Sequence, residues 1–248
     1  LDSGSNITLS QGNLSSSGSG WADVRSTIKV PHTGKWYVEL LVTTQGNTYF
    51  GLYSDDYTDT DAGHGYGTAK HLVHNGGISG GSSGGYISGG FASGDIISMA
   101  VDCDNGKLWW AKNGTYPSSG NPATGANQAL TFTATDNYNI NMAGASGNVT
   151  NINFGQNGTF AGTKTAQGNA DGNGYGNFYY APPSGFNALC TQNLATPGIK
   201  KSTENFNIIL YTGNDTDDRT LTGVGFQPDF VWIKTRDAYN YHQLMDSV

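Results

Sequence analysis

The chain has 248 residues, 37 of them Gly and 14 Tyr, and only 12% carry charge, against about 25% in an average soluble protein. Twelve Lys and Arg against 19 Asp and Glu leave a formal charge of −7 with no basic run, which argues against nucleic acid as a partner. No stretch of about 18 apolar residues occurs, so no membrane insertion is expected, and the length accommodates one large β domain or one and a half ordinary ones.

Gly, Asn and Ser favour turns over helices, and apolar residues recur with period two nearly throughout. Trp36, Val38, Leu40 and Val42 share one face of a first half-buried strand, and residues 49–53 form a second. Residues 54–94 are rich in Gly, Ser, Asp and His and too long for a structureless loop. Short strands are expected there around His71 to Val73 and Tyr86 to Phe91. In residues 96–112 an Asn105-Gly106 turn of type I′ predicts a hairpin. Its register places Asp104 opposite Lys107, Cys103 opposite Leu108, Asp102 opposite Trp109 and Val101 opposite Trp110. Trp110 then joins the core, and Trp109 faces a second, partly exposed surface. Cys103 continues the apolar row of Ile97, Met99 and Val101 and reads as a reduced thiol, not as half of a bridge to Cys190.

Residues 157–177 carry almost no large apolar side chain and are expected on the surface. Tyr180-Ala181-Pro182-Pro183-Ser184-Gly185-Phe186 closes this first unit, and Thr196-Pro197-Gly198 marks a boundary, giving domains 1–197 and 198–248. Beyond it Phe206, Ile208 and Leu210 form one strand face, and Phe230 and Trp232 alternate with Val231 and Ile233 in another. Two or three strands do not fold alone. The expectation is therefore an incomplete second β domain that continues beyond Val248, in a chain that begins inside a longer one.

Several motifs resemble the SPRY domain, a β-sandwich used mainly for binding. They are Gly34-Lys35-Trp36-Tyr37-Val38-Glu39, Phe50-Gly51-Leu52-Tyr53, His74-Asn75-Gly76, Gly94-Asp95-Ile96-Ile97 after Phe91, Ala100-Val101-Asp102, Asp104-Asn105-Gly106-Lys107-Leu108, Trp110, Asn113-Gly114 and Asn153-Phe154-Gly155-Gln156. They run in order over about residues 20–190. Ser98 stands where that family usually has Gly, and Trp109-Trp110 replaces a smaller residue followed by Phe, which puts any inherited ligand surface in doubt. Residues 180–194, followed by Gly225-Phe226-Gln227-Pro228-Asp229-Phe230-Val231-Trp232-Ile233-Lys234, are similar to an arrangement in tail-fibre-like and other structural proteins of marine phages. The fold class implied is all-β, a SPRY-like antiparallel β-sandwich followed by the start of a second β domain.

Chemistry is sparsely signalled. Gly77-Ile78-Ser79-Gly80-Gly81 and Gly81-Ser82-Ser83-Gly84-Gly85 match a hydrolase elbow pattern but lack its flanking strand and helix. His64, His71 and His74, with Asp59 and Asp61, are of metal-binding type, yet the odd spacing of His71 and His74 puts them on opposite strand faces and favours surface histidines. Asp55, Asp56, Asp59 and Asp61 suit a structural calcium, with a solvated acidic loop the favoured reading; the Asp102 to Gly106 run is better explained as a turn. No cofactor is otherwise expected. Only two Glu occur, Glu39 and Glu204, so nothing singles out the carboxylate pair of a polysaccharide depolymerase.

Aromatic, amide-rich loops carry the strongest functional signal, since Tyr and Trp platforms with Asn and Asp hydrogen bonding recognise glycans and proteins. The ligand-binding candidates are Tyr57, His64, Tyr66, Tyr86, Trp109, Tyr116 and Tyr175, with Tyr179 and Tyr180 nearby; packing at sheet edges or subunit contacts is the competing role for these rings. The expectation is a non-enzymatic structural or adhesive protein of a virion surface, such as a phage tail fibre. Its partners would be a host-surface glycan or protein or neighbouring virion proteins, in a homo-oligomer of trimeric type. A secreted adhesin is the alternative.

Overall fold

The structure, a computed structural model, describes residues 2–3, 6–20, 22–54, 69–79, 85–144, 147–196, 198–216 and 218–246. Strands dominate them. They are β1 (Asp2–Ser3), β2 (Ile7–Ser10), β3 (Ser15–Gly18), β4 (Ala22–Val30), β5 (Lys35–Thr44), β6 (Thr48–Ser54), β7 (Lys70–Val73) and β8 (Ile78–Ser79). Then come β9 (Ile96–Asp102), β10 (Lys107–Lys112), β11 (Leu130–Thr131), β12 (Tyr138–Gly144), β13 (Val149–Asn153), β14 (Asn187–Ala188), β15 (Phe230–Ile233) and β16 (Gln243–Asp246). By its contacts the chain divides into two units, Leu1–Leu194 and Ala195–Val248.

The first unit is an antiparallel β-sandwich. Sheet I has the order β1-β4-β12-β6-β7-β8, and sheet II the order β11-β10-β9-β5-β13-β3-β2. β14 adds to sheet II in parallel, pairing Asn187 and Ala188 with Trp36 and Tyr37, the part of β5 that β13 does not reach. Alternation drives one side chain in two between the sheets. Phe50, Leu52, Leu72, Ile140 and Met142 from sheet I meet Val38, Leu40, Ile97, Met99, Val101, Trp110 and Ile152 from sheet II in one buried cluster.

β5 is not half-buried as its alternation suggests: Tyr37, Glu39 and Leu41 on its other face are as inaccessible as the inward row. Residues 154–194 return across the outer face of sheet II and make a third layer. Tyr37, Ala100 and Trp109 pack there against Phe178, Phe186 and Ala188, and Leu41 and Ile96 against Phe160. Residues 157–177 are therefore not all surface, because Phe160 is the plug of one of these clusters.

The hairpin of β9 and β10 forms in a different register. Asp102 pairs with Lys107, Val101 with Leu108 and Met99 with Trp110, which leaves a four-residue loop, 103–106, in place of two. Gly106 has a left-handed φ of 60° and Asn105 does not, so the type I′ turn is not adopted. Asp102 instead accepts hydrogen bonds from the Asn105 amide and side chain at 3.0 and 2.9 Å and pairs with Lys35 at 3.1 Å. A two-residue slip preserves the faces, so Trp110 still points into the core. Cys103 and Cys190 are free thiols, and burial pushes that of Cys103 up to about 12.

Tyr86 to Phe91 form consecutive turns and no strand; the Gly90 amide closes back on the Ile87 carbonyl. In the second unit Phe206 to Leu210 do not pair as a strand either. The neighbouring segment is held by the Asn207 side chain, which donates to the carbonyls of Gly223 and Val224. β15 pairs with β16 as an isolated two-stranded ribbon.

Candidate binding surface

The first unit has two outer sheet faces, and the residues that build them differ in kind. Over sheet II the returning segment is fastened by two buried carboxylates. Glu39, fully inaccessible on β5, accepts from the amides of Tyr179 and Tyr180 at 2.9 and 2.7 Å, from the Tyr37 hydroxyl at 3.1 Å and from Asn153 Nδ2 at 3.3 Å. Burial holds its carboxyl above the ordinary range although these donors pull it down. Asp171 accepts from the amides of Asn173, Tyr175 and Ala188 and from Asn193 Nδ2, all within 2.9 Å, and this set of donors keeps its carboxyl below the ordinary range against the opposing effect of burial. Of the residues that depart from the SPRY-like pattern, Ser98 and Trp109 belong to this covered face and Trp110 to the core between the sheets. The Tyr37 hydroxyl lies 2.9 Å from Ser98 Oγ, and the Trp109 indole donates to the Ala126 carbonyl at 2.9 Å and meets Phe186 edge-on.

Over sheet I the outward row is polar and aromatic. Register places Arg25 of β4, Asn141 of β12, Gly51 of β6 and His71 of β7 side by side across four strands. A Cβ on Gly51 would overlap the Lys70 carbonyl, so no side chain interrupts the row there. Tyr49 and Tyr53 flank Gly51 on the same face of β6. The Arg25 guanidinium sits 4.0 Å above the Tyr53 ring, which stacks on His71 at 6.4 Å. Tyr49 meets His71 edge-on at 6.2 Å and His74 at 6.4 Å. Asn141 donates weakly to Asp23 at 3.4 Å. Tyr53, His71 and Asn141 are buried; Asp23, Arg25, Tyr49 and His74 are half-buried. Beside these residues the Oδ1 atoms of Asn139 and Asn141 and Nδ1 of His74 are buried with no hydrogen-bond partner among the described residues. Burial lowers the His74 pKa.

The sequence candidates fall in several settings. Tyr57, His64, Tyr66 and the calcium candidates Asp55, Asp56, Asp59 and Asp61 lie outside the described residues, in the connection between β6 and β7, two strands of the polar face. Trp109 is no binding residue: it is wholly buried because Phe178 and Phe186 close the face to which its strand parity directs it. Tyr86 is a packing residue, edge-on to Trp110 and donating to its carbonyl at 3.2 Å, with its hydroxyl pushed up to about 12 by burial. Tyr116 packs on the Trp109 cluster, and burial raises its hydroxyl pKa too. Tyr175 is 43% exposed on the returning segment. Tyr179 and Tyr180 pack edge to face beside Phe160.

His71 is buried, contrary to the surface histidine expected, and it shares the Tyr49 ring with His74 because β7 ends at Val73 and the chain curls before His74. Among the described residues no three His, Cys, Asp or Glu side chains converge as metal ligands. Sequence reading missed Arg25, Tyr49, Tyr53, Asn139 and Asn141. The signal lay in Tyr49-Phe50-Gly51-Leu52-Tyr53 and Asn139-Ile140-Asn141-Met142, where polar aromatics and amides alternate with core residues.

Residues 201–248 match a family model described as a domain of unknown function (DUF7483). The chain is similar to the solved SPRY domain of human HERC1, at 14% identity and a TM-score of 0.47, over 59% of this chain and 91% of that one. It is likewise similar to another human SPRY domain, at 15% identity and a TM-score of 0.45, over 59% and 94%. A search of curated proteins finds no match.

Proposed function

We propose that this chain is a non-enzymatic recognition protein of a virion surface, a phage fibre or related appendage, whose first unit binds a host-surface glycan or protein through the outer face of sheet I. The observation that carries this reading is the four-strand row Arg25, Asn141, Gly51 and His71 with its flanking tyrosines. It joins a guanidinium and aromatic faces, groups that orient a hydroxyl-rich or peptide ligand. The half-buried Asp23, Arg25, Tyr49 and His74 make the contact, and the buried Tyr53, His71 and Asn141 hold them in place. Glu39, Asp95, Asp102 and Asp171 are each committed to structural hydrogen bonds or ion pairs, which favours recognition over carboxylate-pair hydrolysis. The virion setting rests on the resemblance of residues 180–194 and 225–234 to phage structural proteins.

The test is binding of the purified chain to an array of bacterial surface glycans and to whole host cells, with Arg25→Ala and Tyr49→Ala alongside. Saturable binding reduced at least tenfold by either variant, both remaining folded, is the expected result. Binding indifferent to both substitutions, or no binding to glycan or cell, rejects the reading. Antibody labelling of intact particles checks the location: a chain absent from the particle surface removes the virion role.

A further inference from the structure

The second unit contains a cavity of about 630 Å³, within the range of about 300–1,000 Å³ that small ligands occupy. Residues 209–212 and 219–222 form its sides, and Arg236, from the chain that follows β15, completes it. Two guanidinium groups therefore line the cavity, and no described carboxylate does. Asp218 and Asp237, their neighbours in sequence, are not among the lining residues, and neither arginine forms an ion pair with a described residue.

The two arginines are held differently. The Arg219 guanidinium lies 5.4 Å from the centre of the Tyr211 ring and donates to the Thr212 carbonyl. These contacts close the loop 213–218 and orient the guanidinium in advance, which lowers the entropy cost of binding. Arg236 makes no such contact among the described residues, so its donors remain for a ligand. Beside them Tyr211, 45% exposed, offers ring surface, and Thr220 and Thr222 offer hydroxyls. A guanidinium recognises a carboxylate through two parallel hydrogen bonds, while an aromatic ring takes the face of a sugar and hydroxyls bond to its hydroxyls. We infer that this cavity is a second recognition site, distinct from the outer face of sheet I, and that its ligand is an acidic sugar of the hexuronate type. The carboxylate sits between Arg219 and Arg236, and the sugar ring packs on Tyr211.

Titration calorimetry of the full chain with tetragalacturonate tests the inference, with maltotetraose as the uncharged sugar and inorganic phosphate as the bare anion. Tetragalacturonate is expected to bind saturably, about tenfold or more tightly than either control, and to shift the amide resonances of residues 209–212 and 219–222. Arg219→Gln and Arg236→Gln each remove one guanidinium and are expected to weaken binding about tenfold. Arg236→Gln breaks no contact among the described residues, so its effect reports on the ligand, and near-ultraviolet circular dichroism checks that Arg219→Gln remains folded. Maltotetraose or phosphate bound as tightly as tetragalacturonate, resonance shifts confined to other residues, or binding indifferent to both substitutions overturns the inference.

Discussion

On the outer face of sheet II the outward residues include Tyr37, Leu41, Ile96, Ala100 and Trp109, and residues 154–194 close over them; on that of sheet I the corresponding positions hold Arg25, Tyr49, Gly51, Asn139, Asn141 and His71. Strand alternation produces both rows equally. What separates them is chemical character, because both rows are largely buried. An apolar row gains about 25 cal/mol per Å² when a further segment covers it, whereas covering a row of amides, a guanidinium and imidazoles costs unless each polar atom finds a partner. One face thus becomes an apolar second core, whereas the other is a polar and aromatic layer in which Tyr53, His71, Asn139 and Asn141 are buried and Asp23, Arg25, Tyr49 and His74 stay half-buried.

The sharpest test of this contrast is Trp109→Ala. It should destabilise the first unit by about 3–5 kcal/mol in urea unfolding, as loss of a fully buried Trp does; a loss below about 1 kcal/mol would make the covering segment dispensable. Glu39→Ala should follow at about 2–4 kcal/mol, because it strands the Tyr179 and Tyr180 amides in a dry layer.

The two carboxylates beneath that layer have opposite pH signs. The Glu39 pKa is raised, so its contribution is fully present below its ordinary 4.5 and is lost as pH rises through the folded value. That of Asp171 is lowered, so its contribution is present above its ordinary 3.8 and is lost as pH falls through the folded value. Urea unfolding across acidic to neutral pH should show Glu39→Gln flattening the decline above 4.5 and Asp171→Asn flattening the acid limb. The same slope in wild type and both variants would contradict these assignments.

The smallest effect on stability is expected from Arg25→Ala, below about 1 kcal/mol for a half-buried cation over a ring, even as ligand binding falls at least tenfold. If Arg25→Ala unfolds the domain as readily as Trp109→Ala, the polar face is structural too and the contrast fails.

Much of the architecture was legible in the residues. Alternation in residues 36–42 and 96–110 located β5, β9 and β10 and assigned Trp110 to the core. The hairpin register was not legible, because Asn105-Gly106 suits more than one loop length and the choice rests on Asp102 capping Asn105 and pairing with Lys35. The recognition row was half legible: Tyr49 and Tyr53 alternate visibly with Phe50 and Leu52, but nothing local aligns them with Arg25 and Asn141.

By itself the sequence determined the all-β class, the parity of each long strand and the contrast between a polar, Gly-rich first unit and a second unit of alternating apolar runs. These depend on the period of a single strand and on local turn chemistry, which neighbouring residues specify. Only the tertiary structure decided that Trp109 and Glu39 are buried, that His71 and His74 share one tyrosine, and that Arg25, Asn141, Gly51 and His71 form a row. Those outcomes depend on which distant segments cover a face and on the register between strands far apart in the chain, quantities that no local pattern carries.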